Sequence, residues 1–399
     1  MKIGSRVRDW IDALRRLPEA RSWRMAVILW AVYLTVIAGI VAVQPDRRTV
    51  TPEYREAALE WWAGKDIYEV RMHGYLYLPQ AAILYTPFAA LPERVGEPLW
   101  RLVGLSLFAW SIWRLCMVFG GKRHGIWFLV ATVAAVPASF SAARNGQMNL
   151  TMAALLGLSA VDLGRHAWNR AGISLLLSVA LKPLGVVPCL LAGGCYMKPM
   201  GGRLIAGVAL LAGLAFLHAN PEYVLRQYEL FVETMQIARK PKQSLFCDIQ
   251  GMFWAFGFRP PDLAMSLLRI VAAGITLGVA WLGVRRYDAQ RAGFICMLMA
   301  AWYLLLFNPR TETNSYVLIA PFAGVLVAAA LVERINSRRL FLLGIYALAL
   351  SCENWGPLHA VTNLWLKAAV TLVFGGVLIR DVLLGRAPLG LRKNADSMP

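Results

Sequence analysis

The stretch Met25–Val43, MAVILWAVYLTVIAGIVAV, decides the fold class. It holds no charged residue and is long enough for a membrane-spanning helix, which needs roughly 20 apolar residues. The head before it carries Lys2, Arg6, Arg8, Arg15, Arg16, Arg21 and Arg24. Basic residues stay in the cytoplasm during insertion, so residues 1–24 are expected to form a cytoplasmic head. The run has no small-residue cleavage site and reads as an anchor instead of a signal peptide.

Further apolar runs follow near 98–119, 126–141, 149–163, 171–181, 184–197, 204–219, 263–284, 292–307, 315–332, 340–352 and 360–379. The expectation is an all-α polytopic membrane protein of about twelve transmembrane or partly spanning helices. The 399 residues are 58% hydrophobic and only 16% charged, which excludes a soluble core pattern. The formal charge of +18 raises nucleic-acid binding as an alternative, and the placement of the charge decides against it. The head and the clusters at Lys122/Arg123, Arg165/Arg170, Lys198/Arg203, Arg285/Arg286/Arg291, Arg334/Arg338/Arg339 and Arg380–Lys393 hold 23 basic residues against eight acidic ones. All can lie on one side, with residues 380–399 as a cytoplasmic tail.

One integral-membrane domain over 1–399 then leaves two long outer segments, 45–97 and 220–262. In the first, Tyr54, Ala57, Ala58, Trp61 and Trp62 recur at helical spacing, predicting an outer-face interfacial helix that Gly64 ends. Ala81–Leu91 is apolar, short and contains Pro87, so it reads as a re-entrant or interfacial helix. The second segment has an amphipathic part, Tyr223–Ile237, and then the polar stretch Lys240–Gln250. Lys182-Pro183 is expected to separate two half-buried helices, since one helix over 171–197 would invert the charge pattern beyond it.

Polar residues inside a bilayer are costly, so their grouping carries information. Arg144–Asn149, Lys182-Pro183, Lys242–Ser244, Asn308–Asn314 and Glu353–Trp355 all fall at the outer face on this topology. Each could be an ordinary polar connection; together they suggest a shared aqueous or headgroup-level cavity.

Tyr54–Tyr68 with Ala57-Ala58, Gly64 and Asp66-Ile67-Tyr68, then Tyr77-Leu78-Pro79-Gln80, Pro87-Phe88, Leu91-Pro92, Asn145–Asn149 and Leu181-Lys182-Pro183, resemble the family 87 glycosyltransferases. The resemblance implies a GT-C-type helical bundle and a transferase that depends on a polyprenyl-phosphate sugar, as in mannosyltransferases of cell-envelope biosynthesis. It implies transfer of mannose, or another hexose or pentose, to a lipid-linked or glycan acceptor at the outer side of a bacterial cytoplasmic membrane. The expected partners are donor, acceptor and membrane lipids, with no nucleic acid. No cofactor is expected, and a divalent cation could enter only through the substrate phosphate. No two of the five histidines have metal-ligand spacing, so no metal site is predicted.

The reaction implied is a single inverting displacement with a carboxylate as general base. Family members place an Asp a few residues before the tyrosine matched by Tyr54, and here that position is Val50. The candidates are therefore Glu53 first and Asp46 second, although Glu53 could simply favour a helix N-terminus and Asp46 a helix end. The family's late outer loop often carries a histidine motif, and its counterpart Asn308–Asn314 contains none.

Lys182, Arg310 and Lys242 are candidates for the donor phosphate. Lys182 could instead snorkel to the interface, and Arg310 could pair with Glu312. Tyr54, Tyr77, Gln80, Asn145, Gln147, Asn149, Glu312 and Asn314 are candidates for sugar or acceptor, with Ser244 weaker; Asn149 could alternatively cap a helix. A transporter or flippase of an amphiphilic precursor, or a noncatalytic assembly scaffold, are the competing functions. The absence of a visible internal repeat counts against a carrier.

Overall fold

Each expected apolar run lies mainly on helical structure, although the run 204–219 ends in a bend after Leu217 and the run 360–379 is broken by a turn at 363–365. The structure, a computed structural model, describes residues 9, 11–45, 47–69, 74–238, 246–333 and 337–391. In chain order the helices are α1 Glu19–Val43, α2 Thr51–Ala63, α3 Pro79–Ala89, α4 Glu93–Gly120, α5 His124–Asn145, α6 Met148–Gly164 and α7 Trp168–Leu181. There follow α8 Val186–Cys195, α9 Met197–Leu214, α10 Pro221–Ala238, α11 Ile249–Ala255, α12 Asp262–Arg286 and α13 Ala289–Phe307. The chain closes with α14 Ala320–Val332, α15 Ser337–Leu350, α16 Pro357–Thr362 and α17 Leu366–Leu383. Among the described residues there is no β-strand.

Among the described residues, six helical segments are long and apolar enough to cross a membrane, and one of them, Glu93–Asn145, comprises α4 and α5 joined by a tight turn at Gly121–Arg123. The protein is an integral membrane protein. Its apolar side chains sort into two populations. On α1, Ala26, Trp30, Tyr33, Ile37 and Val41 are buried on one stripe, while Ile28, Val32 and Val36 are exposed on the other. Exposed aliphatic rows are costly in water and at home in lipid.

The centre of the bundle is α6, every residue of which is buried. Helices α4, α13 and α7 pack around it, α14 packs against α5, and α1 against both α4 and α5. Small residues allow these approaches: a Cβ on Gly293 would stand 2.5 Å from the Ala160 carbonyl oxygen, and one on Gly324 2.8 Å from that of Ala131. The sequence break at Lys182-Pro183 is real. Proline disfavours helical backbone at the residue before it, and Lys182 is extended (φ −151°, ψ 129°) between α7 and the short turn Pro183–Gly185.

The interfacial helix expected from Tyr54 to Trp62 is α2, ended by Gly64 in the left-handed conformation. Its buried stripe is Thr51, Tyr54, Ala57, Ala58 and Trp61. What the sequence leaves unstated is how firmly α2 is anchored. Beneath it, Glu97 of α4 is 4% exposed, receives hydrogen bonds from Thr51 Oγ1 and Tyr85, and pairs with Arg101. Arg101 also donates to Thr49 Oγ1 (2.7 Å), and Arg55 donates to the carbonyls of Ala89 (2.6 Å) and Leu91 (3.0 Å) at the end of α3. A buried ion pair is tolerated only when its remaining valences are satisfied, and here they tie α2, α3 and α4 into one unit.

The two long segments between apolar runs dock on each other. Tyr223 of α10 donates to the Lys65 carbonyl at 2.6 Å, Gln227 bridges Asp66 and the Ile67 amide, and Arg226 pairs with Asp66. Helix α10 thereby closes over the surface that α2 begins.

Candidate functional site

Stretches distant in sequence surround one cavity of about 400 Å³. The start of α2 contributes Val50, Glu53 and Tyr54, and the segment leading to α3 contributes Tyr77. Gln147 enters from the turn before α6, Lys182 and Pro183 from the break after α7, and Met235 and Ala238 from α10. The turn after α13 adds Asn308, Pro309, Arg310 and Glu312. The break at Lys182-Pro183 has a purpose in this packing: a continuous helix would hide the lysine along its side, whereas the extended residue presents it at a helix end.

Lys182 is half-buried, and its Nζ donates to Asn149 Oδ1 at 2.8 Å. Asn149 in turn donates to Ser315 Oγ at 3.1 Å and Asn314 Oδ1 at 3.4 Å, and Asn314 donates to Glu312 Oε2 at 3.0 Å. Gln147 donates to the same Glu312 oxygen at 3.3 Å. Arg310 donates to the Ala238 carbonyl at 3.1 Å, with its guanidinium 5.4 Å from the Phe246 ring centre. The chain of donors thus runs from one cation to one carboxylate across α6 and the turn Thr313–Ile319, with each amide oriented by its neighbours.

The electrostatics follow from burial. Desolvation lowers the pKa of Lys182, the Glu312 charge opposes that shift, and Arg310 adds to it. Desolvation also lowers the pKa of Arg310, again opposed by Glu312. The tyrosines Tyr54 and Tyr77 meet edge to face with hydroxyls 2.9 Å apart. Burial pushes Tyr77 up to about 12 and Tyr54 well above its ordinary value, so both stay neutral and serve as hydrogen-bonding groups. Two cations and two carboxylates, Lys182, Arg310, Glu53 and Glu312, therefore face one space.

The candidate residues divide in space. Glu53, Tyr54, Tyr77, Gln147, Lys182, Arg310 and Glu312 line the cavity. Asn149 and Asn314 are buried behind it and orient Lys182 and Glu312. Asn149 does not cap α6, whose N-cap is Gln147 without a side-chain bond. Asn145 lies in the wall of a neighbouring cavity.

Gln80, expected to meet a sugar, is instead 1% exposed and donates to the Leu211 carbonyl and the Tyr228 hydroxyl, which packs α3 against the end of α9. Its place at the first turn of a buried helix turns it away from the cavity. Asp46, Lys242 and Ser244 lie outside the described residues. Among the described residues, no group of three or more His, Cys, Asp and Glu side chains is arranged to hold a metal ion.

Three residues that position the site went unnoticed in the sequence: Glu97, Arg101 and Lys367. Lys367 is 1% exposed, pairs with Glu353 and donates to the Thr313 carbonyl at 2.9 Å, immediately after Glu312. A lone lysine inside the apolar run 360–379 is the signal that could have exposed it.

The sequence model of Glycosyltransferase family 87 matches residues 75–309, more than half of the chain. Among curated proteins no relative matches. Among solved structures, the crystal structure of ArnT from Cupriavidus metallidurans in the apo state is similar at a TM-score of 0.45 and 16% identity, covering 92% of this chain and 77% of that one.

Proposed function

Because the chain belongs to glycosyltransferase family 87, we propose that its cavity binds a polyprenyl-phosphate sugar and transfers the sugar to a hydroxyl of a lipid-linked or cell-envelope glycan acceptor. The observation that carries this reading is the meeting of Lys182 and Arg310 with Glu53 and Glu312 around one space. A phosphate leaving group calls for fixed cations and an attacking hydroxyl for a carboxylate.

In the proposed step the acceptor oxygen attacks the anomeric carbon and forms the new glycosidic bond. The bond from that carbon to the phosphate oxygen breaks, and its electron pair leaves with the lipid phosphate. The hydroxyl proton passes to Glu53, and the configuration at the anomeric carbon inverts. Lys182 and Arg310 meet the charge that builds on the departing phosphate, and both have lost much of their hydration beforehand, which strengthens the interaction.

Glu53 is assigned the base because it is exposed in the cavity wall. Glu312 is already engaged by Gln147 and Asn314, and its charge acts on both cations, so it is better suited to holding them. The positive-inside distribution supports a bacterial cytoplasmic membrane with the N-terminus inside and the cavity facing outward. Mannose is the first donor to try, followed by other hexoses and pentoses.

The deciding experiment supplies polyprenyl-phosphate mannose and related lipid-phosphosugars to the purified protein and follows transfer to a glycan acceptor. Transfer that is lost in Glu53→Gln supports the reading. Full activity in that variant sinks the assignment of the base, and no transfer from any lipid-phosphosugar sinks the reaction.

A further inference from the structure

A second cavity of about 320 Å³ adjoins the first, and Val50 belongs to the wall of both. Its volume lies within the range of about 300–1,000 Å³ usual for small-molecule sites. The charged groups in its wall are Arg48, Arg144 and Glu353. Glu353 brings no net negative charge, because the buried Lys367 pairs with it. The balance of the wall is therefore basic.

The groups around the two guanidiniums are largely committed elsewhere. The carbonyl of Asn145 takes the Val50 N–H, those of Ala142 and Ala143 take the amides of Gln147 and Gly146, and Asn354 donates to the Pro137 carbonyl at 3.1 Å. Arg144 Nε is buried and has no hydrogen-bond partner among the described residues. A buried donor left unpaired costs about 1–3 kcal/mol, and among the described residues no protein acceptor or carboxylate engages the Arg144 guanidinium. Arg48, exposed and held in the left-handed backbone region at φ 53°, stands on the same wall.

We propose that this second cavity is the acceptor subsite and that Arg48 and Arg144 clamp a phosphate group carried by the acceptor. Guanidinium forks match phosphate oxygens in shape and charge. With the phosphate held there, the acceptor's sugar reaches past the apolar Val50 side chain, and its hydroxyl enters the first cavity. The assignment rests on the reading of that first cavity as the donor site.

The test measures binding of octyl mannoside and of octyl mannoside phosphate to the full-length protein by native mass spectrometry, for wild type, Arg48→Gln, Arg144→Gln and Lys182→Gln. Each arginine variant is expected to weaken the phosphorylated glycoside by about tenfold, the loss of one hydrogen bond to a charged group, and to leave the neutral glycoside unchanged. Lys182→Gln is expected to leave both unchanged. Arg48 is exposed, so its variant separates lost binding from lost folding. Unaltered binding in both arginine variants overturns the proposal, as does a loss confined to Lys182→Gln. Polyprenyl phosphate provides a separate arm. If it binds Lys182→Gln as well as wild type while the arginine variants still lose the phosphorylated glycoside, the donor reading fails and the phosphate clamp stands.

Discussion

The backbone N–H of Val50 donates to the carbonyl oxygen of Asn145 at 3.1 Å, joining the residue that precedes α2 to the last residue of α5. That single bond sets the wall between the two cavities, because Val50 lines both and Asn145 lines one. The next residue, Gly146, has φ +69°, and a Cβ there would stand 2.6 Å from Thr51 Cγ2 and 2.8 Å from Arg101 Cζ.

Gly146→Ala is therefore expected to destabilise the protein by about 1–3 kcal/mol, through left-handed backbone strain and overpacking together. Thermal unfolding in detergent reads the stability, and the transfer assay reads a fall in kcat/KM as Thr51 and Val50 are pushed aside. A variant with wild-type stability would show that the Thr51–Arg101 contact is looser than the packing indicates.

Removing the proposed base has a different signature. Glu53→Gln keeps shape and hydrogen bonding while abolishing proton acceptance, so kcat is expected to fall by about 10²–10⁴ with the donor KM little changed. Steady-state kinetics at saturating acceptor distinguishes this from a binding defect, which would appear in KM.

Lys182 has a pKa lowered by burial, so it loses its proton at lower pH than an exposed lysine. The protonated form is the one that supports a phosphate; activity is thus expected to fall on the alkaline side earlier than an ordinary lysine would allow. Lys182→Arg, whose guanidinium stays charged, should move that limb to higher pH. An identical profile in the arginine variant would remove Lys182 from the titration.

The pair between Lys367 and Glu353 is nearly inaccessible to solvent. Lys367→Met strands the carboxylate and is expected to cost about 3–5 kcal/mol, whereas Glu353→Leu combined with Lys367→Met should recover most of it. A double-mutant cycle on unfolding temperature checks the coupling, and additive losses would mean that the pair does not act as a unit.

Asp248 accepts a hydrogen bond from the Gly251 amide at the start of α11, and burial raises its pKa to about 6. The folded state thus holds that proton more tightly than the unfolded chain, in which an aspartate titrates at about 4. Its contribution to stability is full below the unfolded value and is lost as pH rises through the folded one. Asp248→Asn keeps a capping oxygen, so unfolding of the variant should lose this pH dependence and be more favourable to the folded state above pH of about 6.

Charge placement and apolar run length by themselves determined a many-helix membrane protein, the helix α2 with its Gly64 end, and the break at Lys182-Pro183. These features depend on local physics, namely hydropathy, backbone preference and the placement of basic residues, and local physics is legible in a chain. The polar residues chosen from the short connections also met, since Glu53, Gln147, Lys182, Arg310 and Glu312 share one cavity. The sense of each side chain was another matter. By sequence, Gln80 and Asn149 are alike candidates for sugar or acceptor, yet one packs α3 against α9 and the other orients Lys182. Glu97, Arg101 and Lys367 carry no local signature of their roles: Glu97 and Arg101 pair within α4 and reach α2 and α3 through Thr51 and Tyr85, and Lys367 pairs across elements with Glu353. Only the tertiary structure could decide these, because whether a polar group faces a cavity or supports it depends on which distant helix supplies its partner, and such pairings leave no periodic mark in the sequence.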